Sequence, residues 1–159
     1  MKFFAATAVF LALFFSISQA KEYEIAISRV GGNLYWVQAE DLYIQTEYCF
    51  EYSENDKAVL RMDGATGELI FSEKSKCDVK GLYRKNQLGP GTYPVTVSRE
   101  DDNWYVFAGR LVALNTEGCL SLVENAAAEL KIDESGSGTL TLEGEECAVK
   151  GIYSKVQIQ

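Results

Sequence analysis

The chain has 159 residues with no histidine, four cysteines and two prolines, and sets 15 Lys and Arg against 23 Asp and Glu for a formal net charge of −8. The lack of histidine removes the commonest general base near neutral pH and the commonest metal ligand, which excludes Ser-His-Asp and Cys-His catalysis and His-based zinc sites. The acidic balance also argues against nucleic acid, whose binding relies on Lys and Arg to displace counterions.

Residues 1–20 open with Lys2, run apolar over 3–15 and close on Ser18-Gln19-Ala20 before Lys21. That is the pattern of a secretory signal with a Ser-x-Ala cleavage site. Only about thirteen apolar residues precede Ser16, short of the roughly 20 that a membrane span requires. Cleavage would remove Lys2 and no acid, leaving 14 basic against 23 acidic residues, a net charge of −9. The mature chain is expected to be secreted or periplasmic, soluble, and without membrane insertion after cleavage.

Residues 24–30 then alternate as a strand, Gly31-Gly32 turns, 33–39 gives a second strand, and 42–52 a long third. A polar stretch leads to strands at 58–62, 69–72 and 77–85, with Asp63-Gly64 as a turn, so residues 21–89 hold about six strands. Leu88-Gly89-Pro90-Gly91 is a turn-rich joint. Residues 90–159 follow the same plan, with Ser135-Gly136-Ser137-Gly138 at the equivalent turn. Residues 125–131 contain three alanines, but the aligned segment of the first half is extended, so a strand is expected there too.

The reason the plan recurs is visible in CDVKGLYRK, residues 77–85, which returns as CAVKGIYSK at 147–155. Sliding the sequence by 70 positions aligns 22–88 with 92–158 without a gap, and 21 of the 67 pairs are identical, all four cysteines among them. Internal periodicity of this kind is settled before a fold is assigned. The expected fold is all-β: a tandem duplication of a roughly 67-residue antiparallel unit.

An even cysteine count in an exported chain points to disulfides, and four cysteines permit three pairings. Duplication selects one of them. If each unit once folded alone, Cys49 pairs with Cys77 and Cys119 with Cys147. Each bridge closes a span of 28 positions, worth roughly 3 to 4 kcal/mol in the chain-entropy estimate. Strict alternation along residues 42–52 puts Cys49 with Gln45, Glu47 and Glu51 on the polar side of the sheet. Leu42, Ile44, Thr46, Tyr48, Phe50 and Tyr52 then face the core. The same reading turns Leu120 and Leu122 inward. Glu47 with Lys80, and Glu117 with Lys150, are expected ion pairs beside the bridges.

YIQTEYCFEY (43–52) together with CDVKGLY (77–83) resembles a family of small exported bacterial β-repeat proteins of unassigned function. The resemblance covers the repeat unit, supplies no activity or site, and implies a periplasmic or secreted setting.

Cysteines committed to disulfides offer neither nucleophile nor thiolate ligand. No G-x-S-x-G elbow occurs, and the Ser18-to-Lys21 spacing straddles the cleavage point. Neighbouring acids at Glu40-Asp41, Asp101-Asp102 and Glu145-Glu146 fall in expected turns, where solvent opposes the raised pKa that a glycoside-cleaving acid requires. Asp63, Gly64 and Glu68 lack EF-hand spacing and read as a β-turn. No catalytic residue, metal ligand or cofactor site is assigned.

Aromatic residues are the remaining lead. Tyr35 and Trp36 in the first half, and Trp104 and Tyr105 in the second, make a strand apolar on both faces. Such a strand is covered on both sides or offers one side to a ligand. Core packing is the first reading, and these four rings are the candidate binding surface. The function read from these residues is an exported, non-enzymatic interaction protein with a protein partner, possible inhibitor action included. The alternatives are a glycan binder or weak carboxylate-dependent glycan hydrolase, and a structural envelope component.

Overall fold

A computed structural model describes residues 20–156. The leader expected over residues 1–20 lies outside this span apart from Ala20. Twelve strands run in chain order: β1 Lys21–Arg29, β2 Leu34–Val37, β3 Leu42–Glu47, β4 Glu54–Asp63, β5 Thr66–Phe71, β6 Lys76–Asn86, β7 Gly91–Asp101, β8 Trp104–Phe107, β9 Val112–Glu117, β10 Ala126–Ile132, β11 Gly138–Leu142 and β12 Glu145–Val156. One 3-10 turn, Gln38–Glu40, follows β2. The alanine-rich segment is strand β10, because each of its residues pairs antiparallel with β7.

Antiparallel pairing closes β1-β2-β3-β6-β5-β4 into a six-stranded barrel. Strands β7-β8-β9-β12-β11-β10 close into a second ring by the same connections. Closure leaves no free edge inside either ring. The rings share one ladder, in which the ends of β6 and β12, still paired with β3 and β9 on one edge, run past β5 and β11 and pair with each other on the other edge from Leu82↔Val156 to Asn86↔Ile152. Its centre is Arg84↔Ser154. Those two positions are 70 apart, so the register maps onto itself when the halves are exchanged and a local two-fold axis passes between them.

The gapless alignment hides two compensating changes. Leu69 pairs with Cys77 and Leu140 with Cys147, an offset of 71 on the inner strand against 70 on the outer. The β10–β11 turn is one residue longer than the β4–β5 turn, and the β11–β12 turn one shorter than its counterpart.

Alternation splits every strand near the shared ladder between two apolar environments. Tyr35, Val37, Leu42, Ile44 and Leu82 fill the first barrel, and Tyr105, Leu114, Leu130, Leu140 and Ile152 fill the second. The opposite faces supply Leu34, Tyr83, Trp104, Val106, Ala113 and Tyr153, with Tyr43 packed against them, to a third cluster between the barrels. Tyr43 stacks on Trp104 at 5.3 Å and meets Tyr153 edge-on at 4.8 Å, while Tyr83 meets Trp104 edge-on at 5.5 Å. Offset and T-shaped contacts of this kind contribute beyond the area they bury.

Polar groups close the rim of this seam. Glu100 is nearly covered and accepts from Arg110 at 2.6 Å and, across the barrels, from Lys80 at 3.1 Å and Gln45 at 3.2 Å. Asp101 reaches over to accept the backbone N–H groups of Gly32 (2.9 Å) and Asn33 (2.6 Å). A side chain on Gly31 or Gly32 would strike that carboxylate, since a Cβ there would lie 2.9 or 3.1 Å from an Asp101 oxygen.

Burial pushes the Tyr83 phenol up to about 12, with Glu100 adding to the rise and Arg110 opposing it. Burial also raises Tyr153, reinforced by its hydrogen bond to Tyr43. A folded pKa above the unfolded value of about 10 means that this contribution to stability is whole below pH 10 and is lost as pH climbs through the folded value. Absorbance titration at 295 nm should therefore show these two phenols ionising only with the alkaline unfolding transition. Their ionisation in the intact fold near pH 10 would contradict a dry seam.

Candidate functional site

The disulfides join Cys49 to Cys77 and Cys119 to Cys147, the expected pairing within each half. Both expected ion pairs are present, Lys80 with Glu47 at 3.8 Å and Lys150 with Glu117. The bridges do not lie on a polar side: all four cysteines are buried and pack in the two barrel cores.

The reason is a break in alternation that overturns the reading of residues 42–52 as one strand. β3 stops at Glu47, and Tyr48 takes left-handed backbone with φ 50°. One such residue reverses the facing of everything after it. Cys49 and Ser53 turn into the barrel, and the three rings expected in the core turn out, with Tyr48 83%, Phe50 75% and Tyr52 74% exposed. In the second half Gly118 has φ 79°, Cys119 turns in, and Leu120 (78%) and Leu122 (85%) point to solvent. A glycine aligned with Tyr48 was the available signal, since glycine inside a strand pattern marks a bulge or a positive φ.

Residues 48–53 are irregular in hydrogen bonding with neighbouring strands, yet their backbone is fixed. The Cys49 N–H donates to Asn33 Oδ1 (2.8 Å), Tyr35 Oη donates to the Glu51 carbonyl (2.7 Å), and Ser53 Oγ donates to the Ile27 carbonyl (2.9 Å). Arg29 donates to the carbonyls of Gly31, Gly32 and Phe50. Residues 118–123 are held in the same way. Arg99 donates to the carbonyls of Asp101 and Leu120, Tyr105 Oη to that of Ser121. Here Glu145 adds an anchor by accepting the Leu120 and Ser121 N–H groups and the Ser121 hydroxyl. Those donors, the Ser121 hydroxyl first, hold the Glu145 carboxyl below its ordinary range. Each loop is thus tied by its arginine to its own hairpin tip, and the tips meet through Asp101. The two loops flank that contact.

The four rings singled out from sequence do not form a platform. Tyr35 and Tyr105 are barrel core, Trp104 is seam core, and Trp36 is partly covered and stacks on Tyr43 at 6.3 Å. Each lies on a strand covered on both faces, so nothing can stack on Trp104 without parting the barrels. Tyr48, Phe50 and Tyr52, with Leu120 and Leu122, are the most exposed large apolar side chains among the described residues, ahead of Leu111 and Val30.

The acidic pairs are not gathered into one cleft. Glu40 ends the 3-10 turn and Asp41 caps it, Asp101 serves the hairpin contact, and Glu145 braces a loop. The downward shift of Glu145 is opposite to that of a general acid. Its carboxylate lies within 4.8 Å of the sulfurs of Cys119 and Cys147, but these are joined to each other and offer no thiolate. Clefts of about 490 Å³ along Ile25, Ala58 and Phe71, and about 460 Å³ beside the linker and the Asp133–Ser135 turn, lie away from the exposed rings.

Left-handed backbone costs a residue with a Cβ on the order of 1 to 3 kcal/mol relative to glycine, and such strain clusters at functional positions. Tyr48→Gly, which copies Gly118, should therefore raise stability by about 1 kcal/mol in chemical denaturation while deleting one exposed ring. A loss of stability would show that the Tyr48 ring supports the fold.

Among the described residues, no helix is long and apolar enough to cross a membrane. The chain matches no family model, and no curated protein or solved structure is significantly similar to it, so what this surface can bind has to be read from its own residues.

Proposed function

We propose that the protein is an exported, non-enzymatic binding module, built by tandem duplication of one disulfide-closed β unit. In this reading it docks a protein partner through the loops at 48–53 and 118–123. Duplication is supported by the 21 identities at a constant offset of 70, by the matching strand connections and by the two-fold register of the shared ladder. Export is supported by the leader pattern, and two disulfides fit an oxidising setting outside the cytoplasm.

The observation that carries docking is the state of Tyr48, Phe50 and Tyr52. Three large rings stand in solvent on a backbone held by buried and partly buried hydrogen bonds, one of them at a conformation that glycine adopts at less cost. Rigid aromatic residues with two χ angles lose little entropy on binding and are the usual anchors of protein interfaces. Folding alone does not ask for them, since the second half builds the same loop with Gly118, Leu120 and Leu122.

The test compares oxidised wild type with a Tyr48→Ser/Phe50→Ser/Tyr52→Ser variant as bait in envelope and culture-fluid extracts. The variant should keep its Tm to within about 2 °C, because surface substitutions away from packed contacts have small effects. A partner held by wild type and released by the variant is the expected outcome. Equal retention by both, or none by either, rejects the loops as the docking surface.

A further inference from the structure

We propose that the ring-bearing loop receives a cationic segment of the partner protein, with Arg or Lys side chains laid on Tyr48, Phe50 and Tyr52. This rests on the binding-module reading above and adds the chemical class of the partner. Between residues 47 and 56 every ionisable carboxyl or ammonium group is an acid: Glu47, Glu51, Glu54 and Asp56. Lys57 follows at the next position and is exposed on β4, while the other two cations nearby are engaged. Arg29 has its guanidinium on three backbone carbonyls, and Lys80 bridges Glu47 and Glu100. Glu54 also accepts the Tyr52 hydroxyl at 3.0 Å, which places a carboxylate at the edge of the ring array. An exposed aromatic ring with a carboxylate at its edge attracts a cation twice, through the ring quadrupole and through the counter-charge.

Charge also disfavours the other occupants. An anionic bilayer surface repels a chain of net charge −8. A second copy docked through the same patch would set these carboxylates against their own counterparts across a two-fold axis. A cationic segment of a different protein meets neither penalty. Leu120 and Leu122 of the second loop are exposed as well, with aliphatic side chains in place of the rings.

The test uses defined probes on the oxidised full chain. A fluorescent peptide of three Gly-Arg-Gly-Leu repeats is titrated at several salt concentrations, beside a copy with citrulline in place of arginine. Citrulline keeps the shape and removes the charge. Wild type should bind the arginine peptide at least tenfold tighter than the citrulline peptide, with affinity falling as salt rises. Tyr48→Ser/Phe50→Ser/Tyr52→Ser, whose charge is unchanged, should lose about tenfold. Glu51→Gln/Glu54→Gln/Asp56→Asn should lose a similar factor and flatten the salt dependence.

Equal binding of the two peptides overturns the proposal, as does the absence of any binding by wild type. Binding that survives removal of the rings also overturns it, because that would be general attraction to an acidic protein. Ring-dependent binding to phosphatidylcholine or phosphatidylglycerol vesicles would assign the patch to a membrane, and ring-dependent self-association in sedimentation to a second copy. If the extract experiment yields a ring-dependent partner while arginine and citrulline peptides bind alike, the docking surface stands and only the cationic class falls.

Discussion

Trp104→Ala should destabilise the protein by about 3 to 5 kcal/mol, the range for deleting a large aromatic side chain from a packed interior. Trp104 is 1% exposed, and its ring touches Tyr43 and Tyr83 of the first barrel and Tyr153 of its own. The site has little capacity to collapse around the loss, because the two barrels are held at a set distance by the β6–β12 ladder and by Asp101 on the opposite hairpin. The substitution should also separate the two barrels energetically. Urea unfolding followed by tyrosine fluorescence and by far-ultraviolet circular dichroism should be one coincident transition in wild type and resolve into two in the variant. A loss below about 1 kcal/mol with a single transition would mean that each barrel is stable without the aromatic seam. Tyr105→Phe, 70 positions from Tyr35, removes only the hydroxyl bonded to Ser121 and serves as a control for a conservative change in a core.

Removing either bridge should cost 2 to 5 kcal/mol, since each closes a loop of 28 positions in a barrel of small core. Cys119→Ala/Cys147→Ala removes two buried core side chains as well as a covalent link, and the equivalent pair in the first barrel does the same. Because the four cysteines are buried, the intact protein should resist dithiothreitol under native conditions and be reduced rapidly only in denaturant. Mass spectrometry after thiol alkylation, with and without urea, measures this directly. Rapid native-state reduction of both bridges would contradict their burial. The loops at 48–53 and 118–123 begin at these bridges, so a bridge-deleted barrel should also lose ring-dependent binding through that loop.

Much of the fold was legible in the sequence. Alternating apolar residues bounded by Gly, Asn and Asp gave six strands per half, and the displacement of 70 selected one cysteine pairing out of three. It also paired Glu47 with Lys80 and Glu117 with Lys150. Errors began where period-two reasoning crossed a backbone reversal. YIQTEYCFEY alternates without interruption as letters, so Tyr48, Phe50 and Tyr52 read as core and Cys49 as surface. A single φ of 50° at Tyr48 inverts the series. That angle is sterically improbable for tyrosine, and Gly118 hints at it only by comparison of the halves.

The second difficulty was that both faces of β2, β3, β8 and β9 are covered, one by a barrel interior and one by the neighbouring barrel. Local patterning records that a residue is apolar but not what covers it. Trp104 and Tyr105 could be recognised as flanking a two-sided strand, yet the division into seam and core, and the absence of an open ring platform there, follows from how β6 and β12 pair across the two barrels.

The sequence by itself determined the β class, the number of strands and the bridges, because these depend on short-range periodicity and on residue identity. Tertiary structure alone decided ring closure, the two-fold ladder, the aromatic seam and the exposure of the rings at 48–52. Those depend on hydrogen bonds between strands far apart in the chain and on one left-handed residue, and neither leaves a mark in the alternation of polar and apolar side chains.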